Sequence, residues 1–386
     1  TISGFTTTGS SILSDVAALS RGTAFWRCFT HWIGGMGVLV FIMAVMPLSD
    51  SSSMHLMRAE SPGPSVGKLV PKVKTTAMIL YGIYVIFTVI EIIALLIAGM
   101  PLFDSMTLTF GTVGTGGFGL LNSSIASYST AVQIIITVFM IICSINFTVY
   151  YMFLIKRPKE ALMCEEMRYY LLIVFGSALL IAFNIRASFA SFGKAFQQAI
   201  FQVASVISTT GFATADFNLW PEFSRMILVL LMFVGACAGS TGGGFKVSRL
   251  IIMVKSVRNE IMSVTHPRSV QKVHMDGRRI PDNVVKTVLC YLAGYVVILI
   301  VSVLLISLDN FDMTTNFTAV MATFNNVGPG LNRVGPTGNF GGFSVLSKLV
   351  LMFDMLVGRL ELYPMLVIFA PGLWRIHPHR HVGKVQ

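Results

Sequence analysis

The residues best suited to chemistry form four short phrases, each a run of threonine, serine, asparagine, valine or glycine that enters a glycine. They recur about every hundred residues and read Thr6-Thr7-Thr8-Gly9-Ser10, Val113-Gly114-Thr115-Gly116-Gly117, Ser208-Thr209-Thr210-Gly211-Phe212 and Asn325-Asn326-Val327-Gly328-Pro329. Glycine permits a positive φ and close backbone approach, so a strand that pivots on glycine can turn successive carbonyls toward one line. Rings of such carbonyls replace the hydration shell of potassium ions in channel filters. The four phrases therefore predict an ion filter built from backbone oxygens.

Short apolar segments lead into three of these phrases, at 104–113, 195–208 and 312–324. A helix needs about 20 residues to cross a bilayer, so we expect half-helices that dip into the membrane and return as extended strands. Asp104 and Asp312 stand where a side chain would cap the first free N–H groups. Irregular backbone at membrane depth needs protein or water around it. The negative ends of the half-helix dipoles would favour a cation at the centre.

Glycines of this kind also have simpler uses. Small residues permit tight helix packing in membranes, and they occur in surface turns, so a single phrase taken alone favours that interpretation. The four phrases together favour the filter, because they occur in register with the pattern of half-helices and membrane spans. The string GTGGFG resembles a nucleotide-binding loop, but no βαβ pattern surrounds it.

The composition determines which elements must position these phrases. The 386 residues are 54% hydrophobic and 12% charged, whereas soluble domains carry about 25% charged residues, so a soluble enzyme is excluded. The net charge of +11 reflects only 17 acidic residues rather than dense bases, which argues against nucleic-acid binding. We predict an all-α polytopic membrane protein. Its seven apolar spans are expected at 25–46, 75–99, 128–155, 169–185, 223–258, 287–308 and 344–374.

Basic residues are concentrated in the linkers 47–74, 156–168 and 246–286 and in the tail after Trp374. The positive-inside rule places these segments in the cytoplasm. The loops on the opposite side are rich in glycine, threonine, serine and asparagine. Because Thr1 opens directly in a Gly/Thr/Ser stretch, we expect the chain to be the C-terminal part of a longer protein.

Residues 235–244 (GACAGSTGGG) interrupt an apolar segment with five glycines. Each glycine costs a helix interior about 1 kcal/mol relative to alanine, so we expect a break between two helix halves near mid-membrane. A small flexible loop under a filter is a candidate gate, although a permanent close-packing kink would have the same composition. A phosphate-binding loop would need lysine at 245, where Phe245 stands. The residues assigned to the gate are Gly235, Gly239, Ser240, Thr241, Gly242, Gly243, Gly244, Lys246 and Arg359.

Arg359 is assigned to the gate because of its charge. An arginine near a helix centre costs about 2.5–3.5 kcal/mol on insertion, so some group must solvate it. Facing a cavity below the filter, its charge would raise the barrier to cations. The alternative is a structural ion pair with Asp354 or Glu91. His31 and the three histidines of the C-terminal tail suggest a metal site, but a solvated or lipid-headgroup role suits the basic tail better.

Longer motifs are spread over nearly the whole chain. They are HWIGGMGVLVFIMAVMP (31–47), HLMRAESPGP (55–64), KLVPKV (68–73), TTGFATADFNLWP (209–221), GACAGSTGGGFK (235–246), NVGPGL (326–331) and GRLELYP (358–364). Together they resemble the Trk/Ktr/HKT superfamily of potassium transporters, most closely its TrkH-type potassium uptake subunits. The resemblance implies pseudo-fourfold helix–pore-loop–helix repeats around one central ion pore. It also implies homodimers and cytoplasmic nucleotide-binding regulatory subunits of the TrkA type.

The same resemblance implies boundaries and filter residues. Repeat 1 would be residues 1–60, truncated to its filter strand and inner helix, followed by repeats 2 (61–160), 3 (161–275) and 4 (276–386, with the basic tail). Glycine at all four central positions, Gly9, Gly116, Gly211 and Gly328, goes with potassium preference in this superfamily. The implied K⁺ filter comprises Thr7, Thr8, Gly9, Gly114, Thr115, Gly116, Thr209, Thr210, Gly211, Asn326, Val327 and Gly328.

We therefore expect potassium uptake across a bacterial inner membrane, gated by the glycine loop and a cytoplasmic partner that carries the nucleotide. No cofactor is expected on this chain, whose other partners would be a second copy and membrane lipid but no nucleic acid. K⁺ would be the transported ion, bound at the filter only. The alternative is a Na⁺- or H⁺-coupled alternating-access symporter, which needs acidic groups near mid-membrane, and Glu91 and Asp354 are the candidates. An intramembrane hydrolase lacks its motifs, HExxH and GxSxG.

Overall fold

A computed structural model describes residues 1–37, 73–266 and 271–367. Within these ranges the chain is helical, apart from an antiparallel hairpin of strands β1 (His274–Met275) and β2 (Arg278–Arg279). The helices are α1 (Ile2–Phe5), α2 (Arg21–Gly35), α3 (Val73–Ile97), α4 (Leu102–Val113), α5 (Thr130–Cys143), α6 (Phe147–Leu154), α7 (Pro158–Met163), α8 (Glu165–Ile185), α9 (Phe192–Ile207), α10 (Glu222–Val234), α11 (Val247–Thr265), α12 (Asp282–Ile306), α13 (Met313–Phe324), α14 (Val345–Leu360) and α15 (Leu362–Val367). Short 3₁₀ turns lie at Arg186–Ser188, Phe217–Leu219, Ser307–Asp309 and Asn332–Val334. The predicted helical class is confirmed.

Three of the described helices are long and apolar enough to cross a membrane. They are Ala77–Ile97 of α3, Glu165–Ser188 around α8 and Asp282–Asp309 around α12. They coincide with three of the predicted spans. Large apolar side chains on them, such as Leu172 at 68% exposure and Val297 at 60%, would be unfavourable in water. These exposed apolar faces are consistent with a membrane protein.

The other predicted spans differ from continuous helices. Residues 128–155 form α5 and α6, which meet at an angle of 88° across a short break, and count as a fourth span only if the pair is taken together. Residues 223–258 divide into α10 and α11 around the glycine loop. Residues 344–374 are interrupted at Glu361, which has a φ of +68°. Residues 25–46 begin as α2 and then leave the described part of the chain.

The helices α4, α9 and α13 are the predicted half-helices. With 12, 16 and 12 residues, they are about 18, 24 and 18 Å long, shorter than the roughly 30 Å hydrocarbon core. Asp312 caps α13 as predicted, because its carboxylate accepts a hydrogen bond from Thr315 N at 2.9 Å. The prediction for Asp104 was wrong. Pro101 takes the N-cap position of α4, and Asp104 Oδ2 instead accepts a hydrogen bond from the hydroxyl of Tyr128 at 3.0 Å.

Each glycine phrase lies between a half-helix and a returning helix. The returning helices are α2, α5, α10 and α14, and three of them begin with a serine cap, at Ser20, Ser129 and Ser344. Buried residues of α12, α13 and α14, such as Ile306, Ala319 and Leu351, form one apolar cluster. A larger cluster joins α8, α9 and α10. The phrases are therefore held on both sides by packed helices.

The hairpin connects two of the predicted cytoplasmic linkers. Asp276 Oδ1 accepts a hydrogen bond from Glu165 N at 2.7 Å. Lys255 pairs with the Glu165 side chain and donates to His274 O at 2.7 Å. The predictions made for 38–72, 267–270 and 368–386, including those for the tail histidines, lie outside the described residues.

Candidate functional site

The four glycine phrases share one backbone conformation. In each phrase one residue other than glycine has a left-handed φ. These residues are Thr7 (+52°), Thr115 (+51°), Thr209 (+60°) and Asn326 (+55°). A positive φ is uncommon outside glycine and is a genuine outlier for a β-branched residue such as threonine. Each such residue costs about 1–3 kcal/mol and persists only where the surrounding structure imposes it. The same conformation therefore recurs at four matching positions, three of them occupied by threonine.

The residue after each strained one is bound to the half-helix before it. Its N–H donates to the carbonyl five residues earlier at 2.8 to 2.9 Å, in the pairs Thr8–Ser3, Gly116–Gly111, Thr210–Ser205 and Val327–Ala322. The residue that follows is a glycine with φ from +78° to +100°: Gly9, Gly117, Gly211 and Gly328. The central glycine of the second phrase is therefore Gly117, and the assignment of Gly116 was wrong by one residue. Gly114 accordingly lies ahead of the three matching positions.

The four phrases meet in a closed ring. A Cβ atom on each central glycine would overlap a carbonyl oxygen of the next phrase, in the pairs Gly9–Gly116, Gly117–Thr210, Gly211–Val327 and Gly328–Thr8. The fourth pair returns to the first phrase, so the order around the ring follows the chain. Any residue larger than glycine would push neighbouring phrases apart. The ring brings backbone carbonyls, which are good ligands for hard cations, close together from all four phrases.

Side chains fix the ring from within the protein. The non-glycine residues at its first two positions, Thr7, Thr8, Thr115, Thr209, Thr210, Asn326 and Val327, are fully buried. Asn326 Nδ2 donates to Thr8 Oγ1 and to Met355 O, both at 2.9 Å. Asn326 therefore joins the fourth phrase both to the first phrase and to α14.

The glycine-rich stretch breaks the helix as predicted. Residues 235–246 separate α10 from α11 and pass against the ring. Thr115 Oγ1 donates to Thr241 O at 2.9 Å, and Gly243 N donates to Thr209 Oγ1 at 2.6 Å. The loop thus binds the strained residues of the second and third phrases directly.

Glu166 anchors the other side of the loop, and sequence reasoning missed it. Its Oε1 accepts hydrogen bonds from Ala238 N at 2.7 Å and Ser248 N at 3.0 Å. The side chain lies at the start of α8 and is buried. A carboxylate that accepts two backbone N–H groups makes charge-assisted bonds, which are among the stronger ones in proteins. The signal in the sequence was an acidic residue at the head of an apolar span, but nothing there indicated its distant partners.

The loop also accounts for the bend between α5 and α6. Cys237 N donates to Ser144 O, and Phe147 N donates to Gly239 O, each at 3.0 Å. Residues 144–146 contain neither glycine nor proline. The bend is therefore held by these tertiary hydrogen bonds, together with the N-cap of α6, where Asn146 Oδ1 accepts from Thr148 N at 2.9 Å.

Two cationic side chains donate to loop carbonyls. Lys246 Nζ is bonded to Gly242 O, and Arg359 Nη1 to Thr241 O at 2.8 Å. Arg359 Nη2 also donates to Gly35 O at 2.7 Å and to the carbonyl of the residue before it. These last two carbonyls end α2, where the helix dipole favours a positive charge. Arg359 therefore connects the loop to the first returning helix.

The hydrogen bonds described for Arg359 go to backbone carbonyls and not to Asp354 or Glu91. Asp354 instead accepts a hydrogen bond from Ser302 Oγ at 2.7 Å. Glu91 is fully buried on α3. Backbone carbonyls therefore solvate the half-buried guanidinium of Arg359.

A separate ion pair lies beside the loop. Glu361, at the break after α14, pairs with Arg249 of α11. The guanidinium of Arg249 lies 4.1 Å from the ring centroid of Tyr291. A small cavity beside the loop is lined by Gly242, Gly243, Gly244, Lys246, Tyr291, Gly358, Arg359 and Glu361. Charged groups of both signs therefore border this cavity.

The metal interpretation of His31 finds no support in the structure. Within the described ranges, no three His, Cys, Asp or Glu side chains are grouped as metal ligands. His31 Nδ1 is hydrogen-bonded to Gly4 O at 2.9 Å. Its ring lies 4.1 Å, centroid to centroid, from that of Phe118.

Comparison with known proteins gives consistent matches over nearly the whole chain. The model of the family TrkH, described as "Cation transport protein", matches residues 1–185 and 184–376. The Trk system potassium uptake protein TrkH of Salmonella typhimurium (strain LT2) is 35% identical over 381 residues, which are 97% of this chain and 78% of that protein. The Trk system potassium uptake protein TrkG of Escherichia coli (strain K12) is 31% identical over 378 residues, with coverages of 97% and 78%. The crystal structure of the potassium transporter TrkH from Vibrio parahaemolyticus aligns with a TM-score of 0.84 at 33% identity, covering 97% of this chain and 77% of that one.

Proposed function

The chain belongs to the TrkH family of cation transport proteins, and from this premise we propose that it takes up potassium ions through a pore lined by its four glycine phrases. The family is one of transporters and not of enzymes. The relatives are named as potassium uptake proteins. The observation that carries the proposal is the closed ring, in which each central glycine lies against a carbonyl of the next phrase.

The proposed filter follows the register of the backbone. It has three layers, each of four pseudo-equivalent residues, which begin at the strained positions and end at Gly9, Gly117, Gly211 and Gly328. The repeats proposed around it are residues 1–60, 61–160, 161–275 and 276–386. The half-helices α4, α9 and α13 end where their phrases begin, so the negative ends of their dipoles face the ring and favour a cation over an anion.

The proposed gate is the loop 235–246 together with Arg359. The loop binds two of the four strained ring residues, so it lies across one mouth of the proposed pore. Arg359 holds it there through Thr241 O. Five glycines give this segment the conformational freedom that a moving element needs, since few side chains have to be repacked.

The setting of the pore is proposed from the family name and the charge pattern. The relatives are parts of a "Trk system", which supports partner subunits. We place the chain in a bacterial inner membrane as a multi-pass homodimer, with a nucleotide-binding subunit of the TrkA type on its basic, cytoplasmic side. Potassium itself is the cargo, and the nucleotide belongs to the partner.

The test is ion flux into proteoliposomes that contain the full-length protein. Saturable Rb⁺ flux that exceeds Na⁺ flux, without an imposed Na⁺ or proton gradient, supports the pore. Flux that requires either gradient would establish the coupled symporter instead, with Glu91 and Asp354 as the next residues to replace.

A pair of glycine variants makes the test specific to the ring. Gly211→Ser should reduce the Rb⁺/Na⁺ flux ratio, because its Cβ would overlap Val327 O and its φ of +80° suits only glycine. Gly22→Ser is the matched control, since a Cβ at Gly22 of α2 has nothing within 4 Å. An unchanged ratio in Gly211→Ser would remove the third phrase from the filter.

A further inference from the structure

The returning helices carry one residue that breaks the repeat. Counted eleven residues from the N-cap of each helix, at Ser20, Ser129, Pro221 and Ser344, the matching positions are His31, Met140, Met232 and Met355. All four side chains are buried. Three helices therefore place a flexible apolar methionine at this position, and α2 places an imidazole there.

The imidazole of His31 lies against the second phrase. A Cβ atom on Gly116 would overlap the imidazole ring. The three residues that match Gly116 in the other phrases are Thr8, Thr210 and Val327, and all of them carry side chains. Compared with the other repeats, the second phrase therefore lacks a side chain at Gly116, and α2 carries histidine in place of methionine at position 31. The ring of His31 fills the volume that the missing side chain would occupy.

His31 also makes a bond that methionine cannot make. Its Nδ1 lies 2.9 Å from Gly4 O, and because a carbonyl only accepts, Nδ1 carries the proton. The same carbonyl accepts a hydrogen bond at 3.1 Å from the N–H of Thr7, the strained residue of the first phrase. Among the described residues, Nε2 is buried without a hydrogen-bond partner.

We propose that His31 is a positioning residue that sets the spacing between the first and second filter phrases, and through it the preference for K⁺ over Na⁺. This inference rests on the proposed potassium pore. The imidazole contacts Gly116 of the second phrase and binds Gly4 O of α1, the carbonyl that also accepts the N–H of Thr7 in the first phrase. A rigid ring at this point keeps the carbonyls of the two phrases from closing around a smaller ion.

The decisive variants are His31→Asn and His31→Leu, measured in the full-length protein. The two new side chains are similar in size, but only asparagine can donate to Gly4 O from near the position of Nδ1. His31→Leu should lower the Rb⁺/Na⁺ flux ratio by roughly 2- to 10-fold, the range for one lost hydrogen bond, and His31→Asn should restore part of it. Met232→Leu, at the matching position of α10, is the control and should keep the wild-type ratio.

A second pair tests the exchange of volume. Gly116→Thr alone should destabilise the protein, because the new side chain meets the imidazole. The double variant His31→Met with Gly116→Thr places at both positions the residue types found in other repeats, and it should recover the melting temperature while keeping the low flux ratio. Should the single His31 variants fail to fold, this double variant still reports on selectivity.

The results separate the two proposals. A wild-type ratio in His31→Leu or in the double variant, or equal losses in His31→Leu and His31→Asn, would overturn the role of His31. Wild-type protein that does not favour Rb⁺ over Na⁺ would instead refute the potassium pore itself.

Discussion

Arg359 offers the sharpest test of the proposed gate, through the variant Arg359→Gln. In the structure, its guanidinium holds Thr241 O at 2.8 Å while it is also bound to carbonyls at the end of α2. Only the bond to Thr241 has to break when the loop moves. Glutamine is shorter and neutral, so it cannot span from α14 to both the loop and α2.

The expected effect can be estimated from that one bond. A hydrogen bond from a charged donor contributes about 1.5–3 kcal/mol. Since about 1.4 kcal/mol corresponds to a tenfold change in an equilibrium constant, losing the bond should raise the ratio of open to closed loop by roughly 10- to 150-fold. Removing a positive charge near the ion path acts in the same direction, because it lowers the barrier to a cation.

The assay is Rb⁺ uptake into proteoliposomes without a regulatory partner. Arg359→Gln should increase uptake strongly, because the closed position of the loop loses its bond to Arg359. Arg186→Gln is the control, since Arg186 is exposed in a 3₁₀ turn. Uptake by Arg359→Gln at the wild-type rate would refute the idea that Arg359 holds the loop closed.

Two more variants test the anchors of the site. Glu166→Leu should also increase Rb⁺ uptake, because the N–H groups of Ala238 in the loop and of Ser248 at the start of α11 lose their acceptor, at about 1–3 kcal/mol each. Glu166→Gln, which keeps an acceptor oxygen, should lie closer to wild type, and equal uptake in both would contradict the anchor. Asp312→Ala should lower the melting temperature at neutral pH, because it removes the cap of α13 at a cost of about 1 kcal/mol. The hydrogen bond from Thr315 lowers the pKa of Asp312, so the carboxylate stabilises the fold above its unfolded pKa of about 3.9 and loses that effect as the pH falls through the lower folded value. The difference in melting temperature between Asp312→Ala and wild type should shrink in acid, and a difference independent of pH would contradict this account.

The elements that the sequence predicted correctly all have local causes. Glycine content alone indicated the break at 235–246, since five glycines in ten residues disfavour a helix. Segment length alone indicated that α4, α9 and α13 are half-helices. Asp312 was recognisable as a cap because its acceptor lies three residues from the N–H that it binds.

The features that the sequence did not predict depend on contacts between distant segments. Gly116 and Gly117 are adjacent, so a motif cannot decide between them, whereas the hydrogen bond to Gly111 and the positive φ of Gly117 do. The bend after α5 depends on bonds to the loop as well as on the local cap at Asn146. Glu166 looked like an ordinary first-turn acid because its partners, Ala238 and Ser248, lie 72 and 82 residues further along the chain.

The loop and the ring are joined closely enough that gating and selectivity cannot be independent. Thr115 and Thr209 have strained φ values, and the hydroxyl of each is bonded to the loop. The hydroxyl of Thr115 donates to Thr241 O, and that of Thr209 accepts from Gly243 N. A loop that moves away must break both bonds, and so removes part of the support that maintains the strain. The first and fourth phrases have no such bond to the loop among the described residues. Opening should therefore relax the second and third phrases first, so that the ratio of Rb⁺ to Na⁺ flux falls somewhat as the loop moves from partly to fully open.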